Sequence, residues 1–192
     1  MGGTHPESDL LDLRSEFPIL ADSTYLLSHS MGAMPGSARE SLLEYTEEWG
    51  HLGQEAWHKW FPQVLEWGNI VGSLFGAEPD TVIFHQNVSV LMAIVASCLR
   101  PEGRRNRVVY TRQNFPTNHY FWQRQAGIEP VRVESPDGIT IPTEKMVEAI
   151  DDRTLAVLID HGIYVTGYLQ DVEAIVRATQ KFGAATIVDH HG

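Results

Sequence analysis

The side chains best suited to chemistry stand directly after short runs of β-branched residues. Asp189 follows the run 185–188, where a carboxylate at the end of a strand can point into a ligand crevice. Such a carboxylate can hydrogen-bond the ring nitrogen of a heterocyclic cofactor and keep that nitrogen protonated. A solvated aspartate that caps the next helix is the simpler interpretation of an isolated residue, so the neighbouring segments must decide between the two.

A candidate anion site opens the apolar run that begins at Val88. Asn87, Val88 and Ser89 follow a predicted strand and begin a predicted helix, so backbone N–H groups and the Ser89 hydroxyl could hold a phosphate against the helix dipole. An ordinary Asn or Ser N-cap explains the same residues. The chain contains neither G-x-G-x-x-G nor a Walker A sequence, which argues against dinucleotide and nucleoside triphosphate sites.

The segment 114–118, Asn-Phe-Pro-Thr-Asn, lies in the loop after another predicted strand. Pro116 stiffens this loop, and Phe115 could present its ring face-on to a planar ligand at the strand end. Phe115 could equally fill the core beneath the loop.

A fourth polar segment, 160–167, begins where the run 154–159 ends. Asp160 falls at the strand end, and His161 and Thr166 could contact a phosphate or a ring hydroxyl. Gly167 permits a backbone turn that other residues rarely adopt.

His190 and His191 beside Asp189 suggest a metal site, which we discount. Adjacent residues cannot chelate as i,i+4 pairs do, and no Cys, Glu or His partner stands at a metal-site spacing. We expect no metal.

Strand and helix patterns alternate along most of the chain. This alternation predicts an α/β fold, with a mostly parallel sheet and helices on both faces. Ligands of such sheets bind at the carboxyl ends of the strands, where the polar segments fall. The predicted strands are 81–84, 107–110, 130–134, 154–159 and 185–188, and the predicted helices are 88–99, one from 118, 143–150 and 171–181.

The first part of the chain is predicted to be mainly helical. Ser37 and Glu40 have the spacing of a capping box at a helix start. The predicted elements are an extended segment at 24–27, a turn rich in small residues at 28–36, and helices at 37–49 and 61–75.

Composition limits the classes of partner. The net charge of -11 makes nucleic acid and anionic membranes unsuitable partners, because both repel an acidic surface. Cys98 lies in an apolar run, and as the single cysteine it predicts a buried small hydrophobe and a reducing compartment. Residues 1–9 lack the pattern of a signal peptide, and no apolar stretch reaches transmembrane length, so we expect a cytoplasmic protein.

Together these segments resemble, in order and approximate spacing, those of kynureninases and related class V enzymes of fold-type I that use pyridoxal 5'-phosphate (PLP). The likeness covers nearly the whole chain. It is carried by Tyr-Leu-Leu-Ser-His-Ser-Met-Gly-Ala-Met-Pro at 25–35, the helix around Trp49, Val88 and Ser89, the loop 115–118, the turn 164–167 and Asp189.

The resemblance implies PLP as cofactor, a small amino-acid substrate and a homodimer. It implies an N-terminal arm and turn at 1–36, followed by a partial PLP-binding large domain at 37–192. The implied reaction is kynureninase-like hydrolytic cleavage of a Cβ–Cγ bond. Alternatives are a class V aminotransferase, a cysteine desulfurase-like enzyme, or a non-catalytic binding or assembly module.

The resemblance also implies roles for individual residues. Val88 and Ser89 would bind the phosphate, Phe115 would stack on the pyridine ring, and Asp189 would pair with the ring nitrogen. The expected cofactor-binding residues are Val88, Ser89, Phe115, Thr117, Asn118, Asp160 and Asp189, and the expected substrate-binding residues are Ser30 and Gly32.

The chain departs from the kynureninase pattern at several positions. Asn118 stands where that family carries an aspartate, His29 replaces an asparagine, and Gly192 stands where the family has His or Gln. The family's catalytic lysine lies beyond the pyridine-binding aspartate. We therefore expect the chain to be the N-terminal portion of a longer enzyme, inactive alone, with its three lysines on the surface: Lys59, Lys145 and Lys181.

Overall fold

A computed structural model describes residues 12–190, which divide after Phe84 into two compact units. The predictions made for residues 1–9, His191 and Gly192 lie outside the described residues. The predicted domain boundary at residue 36 concerns the domains of the whole protein and stays a prediction. Among residues 12–190, no helix is long and apolar enough to cross a bilayer.

The first unit is helical where it is regular. The second long helix begins four residues earlier than predicted and contains Pro62. The elements are a 3₁₀ turn at Leu13–Glu16, α1 at Ile19–Asp22, α2 at Ala38–Leu52, a 3₁₀ turn at Gly53–Ala56 and α3 at Trp57–Ser73.

Two local predictions for this unit are wrong. Residues 81–84 do not form a strand, because a strand requires a paired neighbour and the described residues provide none for this segment. Ser37 already has helical backbone angles and its side chain makes no cap, so the predicted capping box does not form.

The second unit contains a four-stranded sheet in the order β2-β1-β3-β4, and all strand pairs are parallel. The α/β prediction is confirmed. The strands are β1 at Arg107–Thr111, β2 at Glu129–Val133, β3 at Thr154–Asp160 and β4 at Ala185–Asp189, and the helices are α4 at Val88–Cys98, α5 at Pro116–Gln123, α6 at Thr143–Glu148 and α7 at Val172–Lys181.

Side-chain alternation along the strands builds one core layer on each face of the sheet. On one face, Val108 and Tyr110 of β1 and Leu158 of β3 pack with Met92 of α4 and Trp122 of α5. The other layer contains Val109, Val157 and Ile159 with Met146 of α6 and Ile175 of α7. Helices therefore cover both faces, as predicted.

Cys98 does not belong to either layer. It is exposed at the last residue of α4, and the prediction that it is buried is wrong. The apolar run correctly predicted the helix, but Cys98, the last residue of the helix, is exposed to solvent.

Charged side chains fix the amino edge of the sheet. Arg107 donates from Nε to Glu129 Oε1 at 3.0 Å and from Nη1 to Asp151 Oδ2 at 2.5 Å, and Arg153 also bonds Glu129. These pairs tie the starts of β1, β2 and β3 together.

Candidate functional site

The strand order places a topological switch point between β1 and β3. The chain passes from β1 to β2 on one side and continues to β3 and β4 on the other. Ligands of open parallel sheets bind outside the carboxyl ends at such a point. The register sets Asp160, the last residue of β3, directly opposite Asp189, the last residue of β4. Two carboxylates therefore stand side by side at this edge.

Asn114 links the ends of β1 and β3. Its Oδ1 accepts from Thr111 N at 2.6 Å and from Thr111 Oγ1 at 3.0 Å, and its Nδ2 donates to Asp160 Oδ1. The other Asp160 oxygen accepts from Phe115 N at 3.1 Å. Asn114 and Asp160 are both buried, so a polar bridge closes the switch point.

Burial is the main influence on the charge of Asp160. Removal from water raises the pKa of this carboxyl to about 7, and the negative charge of Asp189 acts in the same direction. Hydrogen bonds from Asn114 and Phe115 oppose the increase in pKa. Asp160 therefore gains or loses its proton near neutral pH.

Asn118 connects α5 to the edge strand. Its side chain is fully buried and donates from Nδ2 to Asp189 Oδ2 at 3.0 Å. The Asn118 Oδ1 atom is buried and accepts no hydrogen bond within residues 12–190. A ligand with an N–H or O–H donor would satisfy this acceptor, which stands next to a carboxylate.

Phe115 lies at the start of α5 with 36% of its surface exposed. Its ring meets Tyr164 edge-on, with centroids 5.1 Å apart and planes at 68°. Phe115 is absent from both core layers, and its stacking on the ring of a ligand stays a prediction. Thr117 is half-buried and is the second residue of the same helix.

The segment 161–167 turns back at the same edge. Gly167 has φ of +68°, a left-handed conformation that glycine adopts without strain, and its N–H donates to Ile163 O at 2.8 Å. His161 follows Asp160, and its Nδ1 lies 3.2 Å from His190 Nδ1. The turn thus places Tyr164 against Phe115 and pairs two histidines beside the carboxylates.

The helix α4 packs on the face of the sheet that carries α5. Asn87 caps the helix by accepting from Val90 N at 3.0 Å. Within the described residues, the backbone N–H groups of Val88 and Ser89 donate to no acceptor. The N-cap and the anion site are therefore compatible interpretations.

Ser30 and Gly32 belong to the first unit. They lie in and just after a turn where Tyr25 Oη donates to Met31 O at 2.5 Å. The structure thus brings together Phe115, Asn118, Asp160 and Asp189 in the second unit, and Ser30 and Gly32 form a separate local turn.

The sequence prediction assigned no role to Asn114, although its side chain makes hydrogen bonds to both Thr111 and Asp160 at this edge. Its position three residues after the end of β1 was visible, but its partner Asp160 lies 46 residues further along the chain. Gln170 was also missed; its Nε2 donates to the Asp160 carbonyl oxygen at 2.6 Å.

Comparison with known proteins identifies the family. The model of the aminotransferase class-V family matches residues 33–191, and the chain belongs to that family. This membership confirms the predicted class of cofactor, PLP, which enzymes of this family use.

The individual relatives named here share less than a third of their aligned residues with this chain. Kynureninase from Bacillus cereus is 27% identical over 187 residues, and an uncharacterised aminotransferase from Bacillus subtilis, YcbU, is 31% identical over 176 residues. The alignments cover 91% and 92% of this chain but 44% and 47% of those proteins. The chain thus spans about half the length of the curated relatives it matches.

Solved structures confirm the fold. A C-DES mutant with glycine covalently linked to its PLP cofactor superposes with a TM-score of 0.79 at 18% identity, covering 93% of this chain and 49% of that one. The apo cysteine desulfurase from Thermococcus onnurineus superposes with a TM-score of 0.75 at 22% identity, covering 98% and 48%. At these identities the likeness concerns the fold alone.

The residues at the carboxyl edge fit PLP chemically. A carboxylate suits a protonated ring nitrogen, an exposed aromatic face suits a planar ring, and unused amides at a helix N-terminus suit a phosphate. The buried Asn118 Oδ1 atom, which has no hydrogen-bond partner among the described residues, can accept a hydrogen bond from a ligand.

Proposed function

We propose that the whole protein is a PLP-dependent enzyme acting on an amino acid, and that its reaction is kynureninase-like hydrolytic cleavage of a Cβ–Cγ bond. The observation that carries the proposal is Asp189, a carboxylate at the end of β4 that a buried amide holds in place. Kynureninases that align over 91% of the chain support the choice of reaction. A cytoplasmic location is part of the same proposal.

Each site residue has a proposed task. Val88 and Ser89 bind the phosphate through first-turn amides and the Ser89 hydroxyl, and Phe115 stacks on the ring. Asp189 keeps a proton on the ring nitrogen, and Asn118 orients Asp189. Thr117 lines the same pocket, and Asp160, a predicted cofactor-binding residue, belongs to the site through its hydrogen bonds to Asn114 and Phe115. When bound, PLP supplies an electron sink for charge that develops on the substrate.

On the substrate side, we propose that Ser30 and Gly32 contact the amino acid. None of Lys59, Lys145 and Lys181 is assigned as the catalytic lysine. Lys59 already bonds Glu44 and Glu48 in the first unit, and Lys181 lies in the last turn of α7, just before the amino end of β4.

The deciding experiment is an assay of the whole protein with L-kynurenine and 3-hydroxykynurenine, each in the presence of added PLP. Release of anthranilate or 3-hydroxyanthranilate is expected. The matched variant Asp189→Ala should lose the activity, because nothing then holds the ring proton. Absence of product from both substrates would contradict the proposed reaction.

A second candidate is a class V aminotransferase or a desulfurase-like enzyme. It is favoured by YcbU, whose identity to this chain, 31%, exceeds that of the kynureninases named above, and by Asn118 in place of the kynureninase aspartate. Turnover of an amino donor with a keto acid, or sulfide release from cysteine, in the absence of anthranilate release would transfer the assignment.

We also propose that the protein forms a homodimer through the first unit. Four aromatic side chains on α2 and α3 are about half exposed or more, at 49–64% of their surface: Trp49, Trp57, Phe61 and Trp67. Exposed aromatic residues are typical of association sites. Light scattering should give twice the monomer mass, and a stable monomer at all concentrations would contradict the dimer.

A further inference from the structure

The loop 114–118 carries the two side chains on which the proposed cofactor site depends, Phe115 and Asn118. Its backbone continues into α5, where Asn118 N donates to Phe115 O at 2.9 Å. A displacement of Phe115 would therefore displace Asn118, and with it the amide that holds Asp189.

Both carboxylate oxygens of Asp160 are used by this loop. Oδ1 accepts from Asn114 Nδ2, and Oδ2 accepts from Phe115 N at 3.1 Å. The side chain is 4% exposed. A buried carboxylate engaged in this way has little remaining capacity to bind a ligand directly.

The side-chain amide of Asn114 also has hydrogen-bond partners at both its oxygen and its nitrogen. Its Oδ1 accepts from both the N–H and the hydroxyl of Thr111, and its Nδ2 has Asp160 as its partner. Asn114 is 2% exposed, so each of these bonds is made away from water and breaking one leaves a buried polar group unsatisfied.

We infer that Asp160 is a positioning residue for the proposed cofactor site: with Asn114 it forms a latch that fixes the loop 114–118 against the end of β3. The inference rests on the proposed function, since the loop matters only if Phe115 and Asp189 hold the cofactor. It gives Asp160 an indirect role, through Asn114 and the Phe115 amide, in place of direct contact with the cofactor.

Asp160→Asn opens the latch with no change in side-chain size. The introduced amide has one acceptor and one NH₂ group facing two donors, Asn114 Nδ2 and Phe115 N. One donor then loses its partner. Hydrogen exchange of the peptide that spans 112–120 should accelerate, and PLP affinity in an absorbance titration should fall about tenfold. Asp152→Asn, on an exposed residue, is the matched control and should change neither.

Exchanging the two residues should close the latch again. In the double variant Asn114→Asp with Asp160→Asn, the carboxylate at 114 accepts from Thr111 and from the new amide at 160. The amide oxygen at 160 accepts from Phe115 N, so all donors are satisfied. Exchange protection and PLP affinity should return to within about twofold of the original protein. If neither single variant folds, a folded double variant reports the same rescue through its melting temperature.

The outcomes separate the latch from the cofactor site. Faster exchange with unchanged PLP affinity, or lost affinity with unchanged exchange, would overturn the positioning role. The second result would instead indicate direct contact between Asp160 and PLP. If the original protein binds no PLP, the proposed function fails, and with it the cofactor role of the latch. Exchange protection restored by the double variant would then support only a structural latch.

Discussion

Asn118 stabilises Asp189 with a neutral amide, where an aspartate would bring a second negative charge. Its Nδ2 lies 3.0 Å from Asp189 Oδ2, and the side chain is fully buried. Two carboxylates at that separation cannot both ionise without a large penalty. The residue at 118 therefore decides whether Asp189 has a donor or a competitor as its neighbour.

Asn118→Asp should destabilise the protein increasingly as the pH rises. Like charge and burial raise the pKa of the introduced carboxyl, so it is protonated in the folded state at a pH where the unfolded chain has released the proton. We expect a loss on the order of 2 kcal/mol at about pH 8 and a smaller loss at about pH 5, measured by urea unfolding.

The control for this substitution is Asn106→Asp. Asn106 also donates an amide hydrogen bond, to Gly127 O at 3.2 Å, but at the opposite edge of the sheet. If both variants lose free energy of unfolding to the same extent at every pH, the proposed effect of a negative charge at residue 118 is contradicted.

Asp160 gives the original protein its own pH dependence. Its pKa is raised to about 7, mainly by burial, against an ordinary value of 3.8. From about pH 4 to about pH 7 the folded state keeps a proton that the unfolded chain releases, so this group lowers stability as the pH rises and has no further effect above that range. In the Asp160→Asn variant the free energy of unfolding should no longer show this fall with pH, which is on the order of a few kcal/mol. An unchanged slope between about pH 5 and about pH 8, relative to Asp152→Asn, would contradict the raised pKa.

At the scale of the element, α3 packs closely on the segment that precedes α4. A Cβ added to Gly68 would lie 2.4 Å from the carbonyl oxygen of Val82, a contact that backbone atoms cannot relieve without moving. Gly68→Ala should therefore cost about 2 kcal/mol or more in unfolding free energy, despite the better helix propensity of alanine.

Gly50 provides the matched control in α2. A Cβ there would have no atom within 4 Å, so Gly50→Ala should stabilise the protein by up to about 1 kcal/mol. Thermal melts of the two variants should move in opposite directions. A melting temperature for Gly68→Ala at or above that of the original protein would show that α3 does not pack as described.

The elements were predictable where local pattern and pairing agree. β3 and β4 were each predicted one residue short, because their β-branched runs end at an aspartate. The segment 81–84 has an equally good local pattern but no paired neighbour among the described strands, and no local pattern can reveal that absence. At the site, individual residues were predictable from strand ends, but the pairs Asn114–Asp160 and Asn118–Asp189 span 46 and 71 residues and required the topology.

For the molecule as a whole, the three lysines carry the side-chain amines that could react with the PLP aldehyde. None of them makes a described contact with the site residues, and Lys181 lies at the opposite edge of the sheet. Treating the 192-residue chain with PLP and borohydride should give no stoichiometric adduct at a single lysine. Intact mass and peptide mapping that placed one full adduct on Lys59, Lys145 or Lys181 would contradict this assignment.

We propose that the carboxyl edge of the sheet holds PLP through Asp189. The test is a titration of PLP into the purified 192-residue chain and into Asp189→Asn, with Asp152→Asn as the control. We expect weak, reversible binding to the unmutated chain and to the control, and at least about tenfold weaker binding to Asp189→Asn, since the ring nitrogen then loses its charged partner. Equal affinities for all three proteins would contradict it.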